Sequence, residues 1–375
     1  MLAEKLAGVT FDQYASAPGY SEGPTWRSGD VFFCSGALLR VDAEKKLHTY
    51  LDLGPAGTVL RADGHLLVAD NRYKAVLDVA PDGKVTVLAD QFRGQPLRSL
   101  NDLTVDARGN VYWTDPEGST PQNPVGQIFR LTPDGRVDSL GAGLAFPNGL
   151  DVDPASEHLY VIESQSKKIL RYQLPDDRDL LGAPEMFYDL GGSGGDGCAF
   201  DAEGNLWVAD FHRPETEKGR ITVLSAKAEA LAYLNVPAKV VSNIAFGGKN
   251  HDEIFCTTGD PPGVFHASVG VKGFAGHPGK PMTAVRTLNV VVRRTHADAE
   301  TLKQIAKAAT EPETDKQIAA LLPKLTDAQV RGDLEKLLPD LKQAAAHYAK
   351  DQPLLAEVKR LGGKATIEIF APDWL

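Results

Sequence analysis

The chain has 375 residues, 42% hydrophobic and 24% charged, with a formal net charge of −10. This is the balance of a soluble globular protein. The acidic excess argues against nucleic acid as a partner, and no apolar run reaches the ~18 residues of a membrane span. Three widely spaced cysteines, Cys34, Cys198 and Cys256, make no disulfide framework and read as buried free thiols.

Met1-Leu-Ala-Glu-Lys5 lacks the long apolar core of a signal peptide. The chain as given therefore reads as cytoplasmic, or as secreted or periplasmic where a leader has been removed. Val9-Thr-Phe-Asp-Gln-Tyr14 alternates like a strand. Gly8–Ala15 is assigned to closing the last sheet of a ring, which would leave no open edge.

From Tyr20 the sequence repeats. Gly195-Asp-Gly-Cys-Ala-Phe200, the turn Asp201-Ala-Glu-Gly-Asn205 and Leu206-Trp-Val-Ala-Asp210 form two alternating runs around a tight turn. Asn101–Asp115 and Asn148–Glu163 match this unit almost position for position. The leading residues Asn101, Asn148, Asp196 and Asn243 are 47, 48 and 47 residues apart. Those are blade periods of a propeller. Earlier, Ala56 and Glu22 lead two more units, which makes six. Each unit continues into a second strand pair, as in Gln127–Leu140 around Pro133-Asp-Gly135. Four strands in each of six units predict an all-β six-bladed β-propeller.

The repeat stops near Gly276. Gly273-Phe-Ala-Gly-His-Pro-Gly-Lys-Pro281 reads as a connector, so the expected division is a propeller over 1–275 and an extension over 276–375. In the extension, Arg286–Arg293 is strand-like, and Ala297–Ala309, Asp315–Leu322, Asp327–Leu338 and Leu341–Ala349 carry Leu, Ile and Ala at helical spacing. A further strand is expected in Gly362–Phe370. The C-terminal part is therefore predicted to be a mainly α-helical (α+β) module without a chemical motif. Covering the propeller mouth, packing on it and forming a homo-oligomer are all open roles for it.

Each inner strand of a propeller starts on the same face. The leading residues Glu22, Ala56, Asn101, Asn148, Asp196 and Asn243 should thus ring one mouth of the central channel. Asn148-Gly149 and Asp196-Gly197 are also ordinary turn dipeptides. However, Glu22 and Asn101 hold the same register, and the turn chemistry of the repeat sits elsewhere, at Asp63-Gly64, Asp106–Gly109 and Asp201–Gly204. A ring of carboxylate and amide oxygens without His or Cys suits a hard divalent cation, Ca²⁺ first, with Mg²⁺, Mn²⁺ and Zn²⁺ as alternatives. Asp70, Asp115, Glu163 and Asp210, at the ends of the second strands, with His212 just beyond, are expected to be solvated surface acids.

At these residues the sequence resembles the regucalcin–gluconolactonase family of propeller lactonases. The resemblance spans about residues 10–275 and rests on Ser21-Glu-Gly-Pro-Thr-Trp26, Leu100-Asn-Asp102, Gly109–Pro116, Phe146-Pro-Asn-Gly-Leu-Asp151 and Asp196–Ala209. It implies that Glu22, Asn148 and Asp196 bind one divalent metal and that Asn101 contacts substrate beside it. It also implies hydrolysis of a lactone whose carbonyl the metal polarises, with Asp196 as ligand and general base. An arginine that grips the sugar in some members falls two residues before Asn101. Ser99 occupies that position here, and Arg98 is the nearest candidate. The alternatives left open are a non-catalytic calcium-binding scaffold and an aryl-ester or organophosphate hydrolase on the same residues. Either hydrolase would act on a small-molecule lactone or ester.

Overall fold

A computed structural model describes residues 2–174 and 180–288 and the single positions 316, 319, 320 and 323. Among these residues the strands form six antiparallel blades around a channel. The innermost strands are Glu22–Arg27, Pro55–Leu60, Leu103–Val105, Pro147–Val152, Gly195–Phe200 and Val240–Gly247. The second strands are short apolar runs such as Leu66–Asp70 and Val111–Asp115, buried along their whole length. They are buried on both sides because each blade is packed between two others, and six apolar clusters occupy those interfaces. Trp113, stacked on Phe129 with centroids 5.2 Å apart, anchors one of them. All three cysteines are free and buried.

The ring closes as the sequence predicted, with a shift in boundaries. Asp12–Ser16 pairs antiparallel with Pro262–Ser268 as the outer strand of the sixth blade. The strand begins later than expected because the residues before it do other work. Leu6, at the end of the short helix Leu2–Leu6, and Phe11 are buried in the cluster between the fifth and sixth blades.

The turn aspartates hold the opposite face. Asp201 accepts hydrogen bonds from the backbone N–H groups of Glu203 and Asn205, from Asn205 Nδ2 and from Trp207 Nε1. Asp106 does the same for Arg108, Asn110 and the Tyr112 hydroxyl. One buried carboxylate thus fixes a turn and the large side chain of the strand after it.

The Gly/Pro-rich stretch after the sixth blade lies on that same face. Phe274 N–H donates to Phe200 O at 2.9 Å, Ala62 N–H to Pro278 O at 3.2 Å and Thr283 N–H to Pro133 O at 3.1 Å. Arg286–Leu288 then adds a fifth strand to the second blade, against Val85–Val87. The compact unit Met1–Val290 therefore includes this strap, which the sequence reads as a connector. The segments for which the sequence predicts helices and a final strand lie within the second unit, Val291–Leu375. They fall outside the described residues, apart from the four single positions. No helix among the described residues is long and apolar enough to cross a membrane.

Replacing Asp201 with Ala strands several buried donors, and the expected loss is on the order of 3 kcal/mol. Urea unfolding followed by tryptophan fluorescence measures it. A loss within experimental error would mean that the turn does not need its carboxylate.

Candidate functional site

The inner strands do not run regularly into the channel mouth. The pairing register of the innermost strand slips between Glu22 and Thr25, between Pro147 and Leu150, and between Gly195 and Cys198. A bulge re-aims the side chains it carries. Asn101 precedes its strand, whereas Asn148 and Asp196 sit in such bulges and Glu22 at the edge of one. The glycine that follows each has a packing cause. A Cβ on Gly149 would strike the backbone of Asp196 and Gly197, and a Cβ on Gly197 would fall inside the Asn243 amide. Asn148-Gly149 and Asp196-Gly197 are therefore strand residues at the closest approach of neighbouring blades, and not turn dipeptides.

Four of the six leading residues, Glu22, Asn101, Asn148 and Asp196, line one cavity of about 600 Å³. That size is within the range of small-molecule sites. Asn101 Nδ2 donates to Asn148 Oδ1 at 2.9 Å, and Asn148 Nδ2 donates to Ser164 Oγ at 3.1 Å. Ser164 Oγ in turn donates to Gly195 O at 2.6 Å. The Glu22 and Asp196 carboxyl groups share this cavity and perturb each other electrostatically, with the Tyr20 hydroxyl beside Asp196. Ala56 brings no polar group. Asn243 does not line the cavity, because its amide is spent in the channel, where Nδ2 donates to Asp102 Oδ2 at 3.0 Å.

The electrostatics follow from this geometry. Burial, then the charges of Asp196 and Asp102, push the Glu22 carboxyl well above the usual carboxylate range. Asp196, 2% exposed, is raised by burial and by Asp102. Burial brings Asp102 itself up to about 7, although Asn243 and the Leu103 N–H stabilise its charge. Two carboxylates brought together where burial disfavours their charge share a proton or take a cation between them. The donor set fits a hard cation: two carboxylates, with the second lone pair of Asn148 Oδ1 still available beside them. Among the described residues no three His, Cys, Asp or Glu side chains gather as a metal cluster, so amide oxygens would complete the set.

Arg98 does not line this cavity. Its guanidinium pairs with Glu117 on the loop after the third blade's second strand. The acids expected to be solvated are mostly buried instead, which corrects that reading. Asp70, Asp115 and Asp210 are at most 1% exposed. Asp70 pins a loop by accepting the Gly54 and Tyr73 N–H groups, whereas Asp210 braces the neighbouring strand Lys218–Leu224 by accepting Arg220 Nε and Thr222 Oγ1. Glu163 likewise accepts the Ala145 N–H at 2.6 Å. His212 lines the cavity, as do three aromatic residues that the repeat did not single out: Tyr20, Phe146 and Phe211. Phe146 has φ +62 immediately before Pro147, a conformation costing about 1–3 kcal/mol for a bulky residue. It is held from both sides, by its N–H to Ser119 Oγ at 2.6 Å and by its carbonyl to the Ser164 N–H at 3.1 Å.

Fold and site together define a six-bladed propeller with a carboxylate pair and asparagine amides at one mouth of its channel. The sequence model of the SMP-30/gluconolactonase/LRE-like region matches residues 20–260, and the chain belongs to that family. It is 33% identical over 215 residues to a gluconolactonase of Zymomonas mobilis, which covers 52% of this chain and 58% of that enzyme. It is 28% identical over 247 residues to a pentonolactonase of Haloferax volcanii, 63% of this chain and 80% of that one. The chain thus spans little more than half of the first relative's length. Among solved structures, regucalcin of Agrobacterium tumefaciens, described as a calcium-binding protein, superposes with a TM-score of 0.60 at 21% identity, over 72% of this chain and 96% of that one. At that identity the likeness shows the fold.

The raised Asp102 group sets a pH dependence. Its neutral form is favoured in the fold, so its contribution to stability is complete below pH ~4 and is lost as pH rises through about 7. Asp102→Asn should remove that decline, leaving a melting temperature less sensitive to pH between 4 and 8 in chelator. Parallel curves for variant and wild type would exclude the assignment.

Proposed function

We propose that this protein is a divalent-cation-dependent lactonase whose site is the cavity at Glu22, Asn101, Asn148 and Asp196. The observation that carries the reading is the Glu22–Asp196 carboxyl pair, which lines one cavity with Asn148 and whose charges are uncompensated within the pair. The names of the relatives, a gluconolactonase and a pentonolactonase, support lactones as the substrate class. Regucalcin's description as calcium-binding supports Ca²⁺ as the cation.

In this reading Glu22, Asn148 and Asp196 hold the cation. When bound, it polarises the lactone carbonyl and stabilises the oxyanion that develops there. Tyr20 keeps the Asp196 carboxylate turned toward the cavity. Asp196 takes a proton from the attacking water as the water oxygen bonds to the carbonyl carbon. The ring C–O bond then breaks, and the same proton passes to the departing ring oxygen, which leaves as the hydroxyl of a hydroxy acid. Asn101, tied to Asn148, is placed to donate its remaining amide hydrogen to substrate. Arg98 enters this scheme only if its pairing with Glu117 is given up.

The test is hydrolysis of a lactone panel, followed with a pH indicator, with and without chelator. Asp196→Asn should lower kcat by at least ~10³-fold while the protein stays folded. Full activity in that variant would refute the assignment. Glu22→Gln should lose the rise in melting temperature that calcium gives the wild type. Calcium binding with no turnover of any lactone would instead identify a non-catalytic scaffold.

A further inference from the structure

The cavity has a polar wall that the cation reading does not use. A turn over residues 164–167 joins the second and third strands of the fourth blade, and both Gln165 and Lys167 line the cavity. Ser166, between them, does not; its hydroxyl donates to Glu163 O at 3.2 Å. Ser193 and His212 of the fifth blade line the same cavity, and the Ser193 N–H donates to His212 O at 3.4 Å. His212 lies on the strand Leu206–Arg213, whose 8 residues outrun the 5 of the equivalent strand Leu66–Asp70. The pairing register of that longer strand slips between Asp210 and Arg213, and such a bulge re-aims the side chain it carries.

The polar ends of this wall are uncommitted. Among the described residues the side chains of Gln165, Lys167 and Ser193 enter no hydrogen bond or ion pair, and the His212 Nε2 is buried without a partner. Lys167 is not among the groups whose charge acts on Glu22 or Asp196, so the carboxyl pair does not absorb its charge. An ammonium, an amide and a hydroxyl therefore border the cavity, together with the second amide hydrogen of Asn101. The backbone beneath them is fixed. Gln165 N–H donates to Ala145 O at 3.3 Å, Lys167 N–H to Ser164 O at 3.1 Å and Leu190 N–H to Lys167 O at 2.9 Å. On the third blade, by contrast, Arg98 is paired with Glu117 and lies outside the cavity.

We propose that this wall grips the hydroxyl groups of a polyhydroxylated lactone, with Lys167 and Gln165 as the residues that set the preference in place of Arg98. The proposal rests on the lactonase reading above and assigns its substrate-positioning residues. Lys167 donates to a hydroxyl oxygen, and Gln165 and Ser193 both donate and accept, as a row of sugar hydroxyls requires. The lactone carbonyl then stays with Glu22, Asn148 and Asp196. A site that hydrogen-bonds substrate hydroxyls discriminates against an analogue lacking them, because its own polar groups lose their partners. Gln165, Lys167 and Ser193 are exposed, so each contact is of modest size.

The experiment compares kcat/KM of the full chain, with calcium present, for glucono-δ-lactone and for δ-valerolactone, the same six-membered ring without hydroxyls. The two differ in intrinsic reactivity, which cancels when a variant's ratio is divided by that of the wild type. Lys167→Met should lower the ratio of glucono-δ-lactone to δ-valerolactone by about tenfold, mainly through a raised KM for the sugar lactone. Lys167→Arg, which keeps the charge and donors, should hold the ratio within about threefold of wild type. Gln165→Leu should lower it by about fivefold. Arg98→Met should change it by less than about twofold. Lys167→Met and Gln165→Leu ratios equal to wild type, or a loss in Arg98→Met instead, would overturn this placement of the grip while sparing the lactonase reading. No turnover of either lactone would overturn both.

Discussion

Everything at the functional face depends on how closely the inner strands approach one another around the channel. Six strands converge on a space too narrow for side chains in both directions, so at the point of closest contact one residue must yield. Gly149 yields to Asp196 and Gly197, Gly197 to Asn243, and Gly23 to the backbone of Gly57 and Thr58. The bulge that accommodates each contact turns the preceding side chain into the mouth. Packing at the narrowest part of the toroid and the gathering of oxygens are thus one geometric event.

The gathered oxygens are costly to the fold. Glu22 and Asp196 face each other with Asp102 below them, in surroundings that disfavour charge on all three. The rest of the molecule offsets that cost, through apolar interfaces between blades, buried turn aspartates and a ring closed by its own N-terminal strand. The outer acids Asp70 and Asp210 hold the Gly54 and Tyr73 backbone and the strand Lys218–Leu224 respectively, so they support the blades without lining the cavity. Strained Phe146 belongs to the same pattern, since the hydrogen bonds on either side of it hold a conformation that its sequence disfavours.

Much of this was legible in the chain. A spacing of 47 or 48 residues between leading residues, with an apolar second strand after each turn, can be met only by a radial repeat whose units bury both faces. That repeat also put Glu22, Asn101, Asn148 and Asp196 in equivalent positions, hence on one face. It could not tell which of six equivalents would reach the cavity. Asn243 occupies the same register and is turned to Asp102 instead. Tyr20 and Phe146 carried no repeat signal because they lie just outside the matched units. The acids ending the second strands read as solvated from sequence because a carboxylate near a loop does not reveal its buried partners.

The sequence by itself determined the blade count, the closure of the ring and the candidate oxygens, because these follow from local periodicity repeated at fixed spacing. Tertiary structure alone decided which oxygens meet, that Arg98 is tied to Glu117, and that aromatic rings wall the cavity. Those outcomes depend on sub-ångström clearances between blades far apart in the chain, and periodicity along one strand carries no information about them.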